Sequence, residues 1–242
     1  MTKEMLVKIS DFHLFARITG SGNQMVVLES GYGDDSSAWD LIVSEVSEFA
    51  EVLVYDRAGL GKSERSTSPR TSREMVKELH ILLHTLELKP PYIFVGHSFG
   101  GVNVRLYATE YPEDVAGLVL VDTTPEDYRE RFLPTMPKEF QDAYNQQFVL
   151  EGNYSEFMES LQQVKYSKQT LSVPLVVLAA GKKTHYSSES QALWNDMQRE
   201  MLGISSKAEF VLAEKSAHYI QNDEPDLVVQ AIKMLVNQYI SK

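Results

Sequence analysis

Apolar and polar positions follow two periodicities along the chain: short β-rich runs, and longer stretches at helical spacing. Residues 5–10 and 12–18 read as two strands, and the turn Gly20-Ser21-Gly22-Asn23 leads into the apolar run 25–28. Trp39, Leu41, Ile42 and Val46 then fall at helical spacing ahead of a further apolar run, 52–55. Over residues 72–88, Met75, Val76, Leu79, Leu82, Leu83 and Leu86 lie on one helical stripe. A short strand is expected at 92–95 and a helix at 102–111. Residues 115–121 read VAGLVLV, almost wholly apolar, as a strand buried on both faces requires. Residues 175–179 repeat that signature, 210–213 give a weaker version, and 227–239 make a closing amphipathic helix. Strands alternating with helices predict an α/β fold, a mostly parallel twisted sheet with helices on both faces.

One segment departs from the alternation. Between Thr123 and Ser172 no strand is expected, and three helical stretches are punctuated by Pro125, Pro134 and Pro137. Phe140, Tyr144 and Phe148 recur every four residues, and Tyr154, Phe157, Met158 and Leu161 make a second stripe. With Tyr128, Phe132 and Tyr166, this segment holds eight of the chain's 24 aromatic residues. The plainer reading is that these rings only pack onto the sheet. The sharper one is a helical cap at 123–172 over an apolar pocket, inserted into a core domain made of 1–122 and 173–242.

A length of 242 residues suits one large domain with a core that needs no disulfide or metal to hold it. A net charge of −11 argues against nucleic acid or an anionic membrane as a partner. With no cysteine, thiolate zinc sites and Cys nucleophiles are excluded. No apolar leader opens the sequence and no stretch approaches the length of a membrane span, so a cytoplasmic protein is expected.

The most specific chemical feature is Gly96-His97-Ser98-Phe99-Gly100, between a strand and a helix. In that context Gly-x-Ser-x-Gly is a nucleophile elbow: glycines flank a turn too sharp for side chains, and the turn lifts the serine hydroxyl above the sheet edge. A serine hydroxyl needs a base. Of six histidines, His218 is the candidate, because it lies in a loop between the last short strand and the final helix. His13 sits in an early strand and His185 has no signature around it. His80 and His84 are spaced like metal ligands, but Ile81 stands where the HExxH pattern needs Glu, so no metal is expected. The acid that orients the histidine is expected to be Asp122, directly after the apolar run 115–121, because Gly181-Lys182-Lys183-Thr184-His185-Tyr186 carries none. Glu126 and Asp127 are the fallbacks. The oxyanion donors are expected to be the backbone N–H groups of Phe99 and of Tyr32, within Glu29-Ser30-Gly31-Tyr32-Gly33. Gly61-Lys62-Ser63 resembles the end of a P-loop but has Asp56 in place of the opening glycine, and Asn153-Tyr154-Ser155 matches a glycosylation pattern only by form.

These residues resemble the α/β-hydrolase superfamily over essentially the whole chain. Asp56-Arg57-Ala58-Gly59-Leu60-Gly61-Lys62-Ser63 is similar to that family's loop after its fourth strand, and Ser98, Asp122, His218 follow its order of nucleophile, acid and base. The chain departs in having Ser30 where many members have His, Ala217 in place of a glycine, and no acid after the seventh strand. The resemblance implies a serine hydrolase acting on a small, fairly apolar ester through an acyl-enzyme, with no metal or organic cofactor. Relatives with the same triad run lactone, amide or carbon–carbon hydrolysis, hydroxynitrile cleavage and cofactor-free peroxidation, and a slow-turnover ligand receptor is the remaining alternative. The expected partner is a small molecule with an apolar acyl or alcohol group; the oligomeric state is left open.

Overall fold

The computed structural model describes residues 2–167 and 169–240. In chain order it contains β1 (Thr2–Ile9), β2 (Phe12–Gly20), β3 (Met25–Glu29), α1 (Asp40–Val46), β4 (Glu51–Tyr55), α2 (Ser72–Thr85), β5 (Tyr92–His97), α3 (Phe99–Glu110) and β6 (Val115–Val121). It continues with α4 (Lys138–Gln146), α5 (Tyr154–Tyr166), β7 (Leu171–Ala180), α6 (Ser188–Glu200), β8 (Ser205–Ala213), α7 (Ile220–Asp223) and α8 (Pro225–Ile240). The strands make one 8-stranded sheet in the order β1-β2-β4-β3-β5-β6-β7-β8. Only the pairings of β2 with β1 and with β4 are antiparallel; from β4 to β8 the neighbours run parallel.

The near-continuous apolar runs have the burial they need, because the sheet is covered on both sides. Successive side chains point to opposite faces. Val27, Leu53, Phe94 and Leu118 pack in the core that contains the apolar residues of α2 and α3. Their neighbours Val26, Val54, Val95 and Val119 pack in the core that contains those of α1 and α8. No helix among the described residues is long and apolar enough to cross a membrane.

Three elements differ from the sequence expectation. β7 begins at Leu171, inside the segment expected to hold no strand; its pairing with β8 shifts register between Leu171 and Pro174, and this irregular start, broken by Ser172 and Pro174, is the less buried end of the strand. β8 runs from Ser205 rather than 210 because it is an edge strand, whose outward positions need not be apolar. α6 has no counterpart in the sequence reading, since only Trp194 and Met197 of its apolar residues are buried and its pattern is correspondingly thin.

Between β6 and β7 the chain forms helical turns at Tyr128–Phe132 and Leu133–Thr135, then α4 and α5. α5 is anchored by backbone chemistry. The first N–H groups of a helix have no partner within it, and here α5 supplies acceptors to those of α2. Ser160 Oγ accepts from Ser72 N at 2.8 Å and Gln163 Oε1 accepts from Arg73 N at 2.8 Å. α5 itself starts with a capping box between Asn153 and Glu156, which accounts for the asparagine of the Asn-Tyr-Ser pattern.

Candidate active site

β5 ends at the elbow. Ser98 has φ 53° and ψ −118°, a conformation L-residues rarely hold, and the surrounding packing enforces it. A Cβ on Gly100 would stand 2.2 Å from the carbonyl oxygen of Glu29, and one on Gly96 would stand 2.7 Å from that of Gly100. Glycine is therefore required at both positions. The Ser98 N–H donates to Val121 O at 3.0 Å, and Ser98 O accepts from Thr124 N at 3.1 Å and from Thr123 Oγ1 at 2.9 Å. The elbow is thus tied to the end of β6, where Asp122 sits.

Ser98, His218 and Asp122 come together in one chain of hydrogen bonds. His218 Nε2 lies 3.0 Å from Ser98 Oγ, and His218 Nδ1 lies 2.6 Å from Asp122 Oδ2. Asp122 is fully buried, with a left-handed φ of 42°. Its Oδ1 accepts from Ala180 N at 3.0 Å and from the Trp194 indole Nε1–H at 2.6 Å. Its Oδ2 is also 2.6 Å from Lys183 Nζ. Burial pushes the Asp122 carboxyl up, but the Lys183 charge and the His218 hydrogen bond outweigh it and hold the group well below the usual carboxylate range. Burial draws the Lys183 ammonium down while Asp122 pulls it the other way. The fallback acids point elsewhere: Glu126 pairs with Arg105 at 2.8 Å and Asp127 with Lys165 at 2.6 Å.

His97 supports the base from beneath. Its Nε2 is 3.0 Å from the carbonyl oxygen of His218, the geometry of a ring N–H donating to that oxygen. Burial, with His218 beside it, lowers His97 to about 3, so it is neutral at physiological pH.

The loop after β3 is held by Arg57. Its Nη1 donates to Ser30 O at 2.7 Å and its Nη2 to Gly31 O at 2.6 Å. Ser30 Oγ donates to Asp35 O at 2.9 Å, a local closure in place of a histidine contact. Tyr32 packs edge-on to Phe99 with ring centroids 5.4 Å apart, and its hydroxyl accepts from Gly152 N at 3.0 Å. Tyr32, in the loop after β3, is thus packed by its ring against Phe99, the first residue of α3 and the neighbour of Ser98 in sequence. The residues that looked like a P-loop end fold back on their own aspartate, with Lys62 N donating to Asp56 Oδ2 at 2.8 Å.

A cavity of about 330 Å³ opens over Ser98 and His218. Tyr32, Phe99, Tyr128, Phe140, Tyr144, Phe157, Tyr186 and Trp194 contribute to its walls, with Lys183 and His185 among the polar members. Burial raises the phenols of Tyr128, Tyr144 and Tyr186, so these rings are neutral, apolar walls. His80 and His84 belong to another cluster, in which the His80 ring stacks on Tyr111 with centroids 3.8 Å apart and Nδ1 meets the Tyr107 hydroxyl at 3.0 Å. Lys183 and Trp194 were not singled out in the sequence. The only trace of them is that the loop after β7 offers lysines where an acid is usual.

The family described as the alpha/beta hydrolase fold matches residues 24–153, and the chain belongs to it. An uncharacterised protein of Bacillus subtilis, YqjL, is 34% identical over 233 residues, spanning 96% of this chain and 90% of its own length. Mouse alpha/beta hydrolase domain-containing protein 10 superposes with a TM-score of 0.75 at 18% identity, over 98% of this chain and 99% of that one. A thermophilic esterase from Thermogutta terrifontis superposes with a TM-score of 0.67 at 20% identity, over 99% of both chains. At these identities the two structures speak for the fold alone.

Proposed function

We propose that the protein is a serine hydrolase that cleaves a small, fairly apolar carboxylic ester through an acyl-enzyme. The observation that carries this reading is the unbroken hydrogen-bond chain from Ser98 Oγ through His218 to the buried Asp122, opening onto an aromatic cavity. Ser98 Oγ attacks the ester carbonyl carbon as His218 Nε2 takes its proton. The carbonyl oxygen becomes an oxyanion, facing the N–H groups of Tyr32 and Phe99. His218 then returns the proton to the leaving alcohol, and water repeats the cycle on the acyl-enzyme. Each oxyanion donor is worth about 3 kcal/mol of transition-state stabilisation. The acyl or alcohol group lies against the rings that line the cavity, and burial of these apolar walls favours an uncharged substrate.

Fluorophosphonate labelling with peptide mapping tests this without a guess at the substrate. An adduct on Ser98 is expected, absent in Ser98→Ala and lost in His218→Ala. A folded wild-type protein that takes up no label, and whose Ser98→Ala variant hydrolyses p-nitrophenyl esters as well as wild type, would overturn the reading.

A further inference from the structure

Asp122 Oδ2 meets two nitrogens, His218 Nδ1 and Lys183 Nζ, each at 2.6 Å. Lys183 comes from the loop after β7, the loop that lacks an acid, and its side chain is only 8% exposed. Its ammonium sits 3.4 Å from the centroid of the Trp194 ring, while the Nε1–H of the same indole donates to Asp122 Oδ1 at 2.6 Å. One tryptophan thus holds the cation by its face and the anion by its edge, an arrangement with two fixed directions.

We propose that Lys183 is a positioning residue of the triad, a standing counter-ion that neutralises Asp122 while His218 is uncharged and so sets how readily His218 accepts a proton. The inference rests on the serine-hydrolase reading for its catalytic meaning.

Before the serine attacks, a base of this kind must be a neutral imidazole beside an ionised carboxylate. A fully buried carboxylate with only neutral partners is costly and tends to take up a proton. Around Asp122, Ala180 N–H, Trp194 N–H and neutral His218 give dipoles, and Lys183 gives the charge. The same charge acts on His218. When the imidazole is protonated it meets a carboxylate already paired, and it lies next to a second cation on one oxygen. Lys183 therefore competes with a protonated His218 for the same carboxylate oxygen.

The other groups facing His218 leave this assignment clear. His97 is buried and neutral, its ring centroid 4.7 Å from that of His218. Tyr219, raised to about 12 by burial and by Asp34, is uncharged, and its hydroxyl donates to Asp34 Oδ2 at 3.1 Å. Asp34 is an acid and favours protonation, the opposite direction. Ser98 carries no charge in the resting state.

The test follows the His218 ring by NMR in histidine-labelled wild type, Lys183→Met and Lys183→Gln, beside the pH profile of kcat/KM on p-nitrophenyl acetate. The ring's titration midpoint is expected to rise by about one to two units in both variants, as removal of a cation that shares a carboxylate oxygen with the ring should produce. The acid limb of kcat/KM should move to higher pH by the same amount. Lys183→Arg, which keeps the charge, should titrate within half of that shift from wild type. A midpoint that stays put in either folded neutral variant would overturn the proposal, as would collapse of both variants at every pH, which would mark Lys183 as a packing element. The ring titration needs no turnover. An inactive wild type would therefore sink the hydrolase reading while the counter-ion role was still read directly.

Discussion

Glu151, in the segment between α4 and α5, grips Arg57 of the core with two hydrogen bonds, at 2.5 Å from Nε and 2.8 Å from Nη2. Both side chains are almost completely buried. The same guanidinium holds the carbonyls of Ser30 and Gly31, and Glu151 Oε2 also accepts from Gly33 N at 3.2 Å. The segment beyond β6 is therefore wired to the loop that presents Tyr32, and the two are not independent parts.

Glu151→Ala should accordingly damage both stability and catalysis. Arg57 keeps Glu29 at 3.0 Å, so the loss lies at the low end for a broken buried pair, about 3 kcal/mol in urea unfolding. Turnover at a pH and temperature where the variant is folded should fall as well, because the loop is no longer held from above. Unfolding within about 0.5 kcal/mol of wild type, the scatter of an inert surface change, would show that the pair contributes nothing net.

Asp122→Asn should reduce kcat by on the order of ten-thousandfold, since an amide favours the wrong tautomer of His218. Glu126→Gln and Asp127→Asn, whose partners are Arg105 and Lys165, should stay within a few-fold. Steady-state rates on one chromogenic ester for the three variants decide the matter. A crippled Glu126 or Asp127 variant beside a mild Asp122 variant would mean that another acid serves His218.

How much of this could be read from the sequence depended on how local each signal is. Ser98 is legible because the elbow is a contiguous pattern with a steric reason for each glycine. His218 and Asp122 are legible from where they stand: each lies beyond the carboxyl end of a strand, Asp122 after β6 and His218 in the loop after β8, where α/β folds place catalytic groups. Lys183 and Trp194 are not, because their contacts with Asp122 bridge the ends of separate strands and a helix whose apolar pattern is faint. Glu151 is hidden for the same reason, since nothing near it in the chain marks it as the partner of Arg57. The core strands could be placed from their apolar runs. The edge strand β8 could be placed only at its buried end.

Acid should destabilise the fold through His97. In the unfolded chain a histidine binds a proton near pH 6.5, whereas folded His97 does so only at about 3. Below pH 6.5 the unfolded state binds the extra proton, so stability falls with falling pH until the folded group titrates. The slope approaches about 1.4 kcal/mol per pH unit. His97→Gln, whose amide can still donate to His218 O, should show a shallower slope between pH 6 and pH 4 in urea titrations. Parallel curves for variant and wild type would assign the acid sensitivity to other groups.

Phe140 offers the cleanest way to ask what the cavity measures. It lines the space over Ser98 but is only half-buried, so its removal enlarges the site without emptying the core. Its ring lies 6.2 Å from that of Tyr186, which lines the same cavity. Each additional buried CH₂ is worth about 0.8 kcal/mol, roughly a fourfold gain in kcat/KM where there is room for it. Phe140→Ala should therefore move the preference along a series of p-nitrophenyl acetate, butyrate and octanoate towards the longer esters, while the rate on acetate changes little. An unchanged order of preference would place the acyl group elsewhere and leave this wall to the alcohol. In that case the same variant should instead relax selection among acetates of progressively larger alcohols.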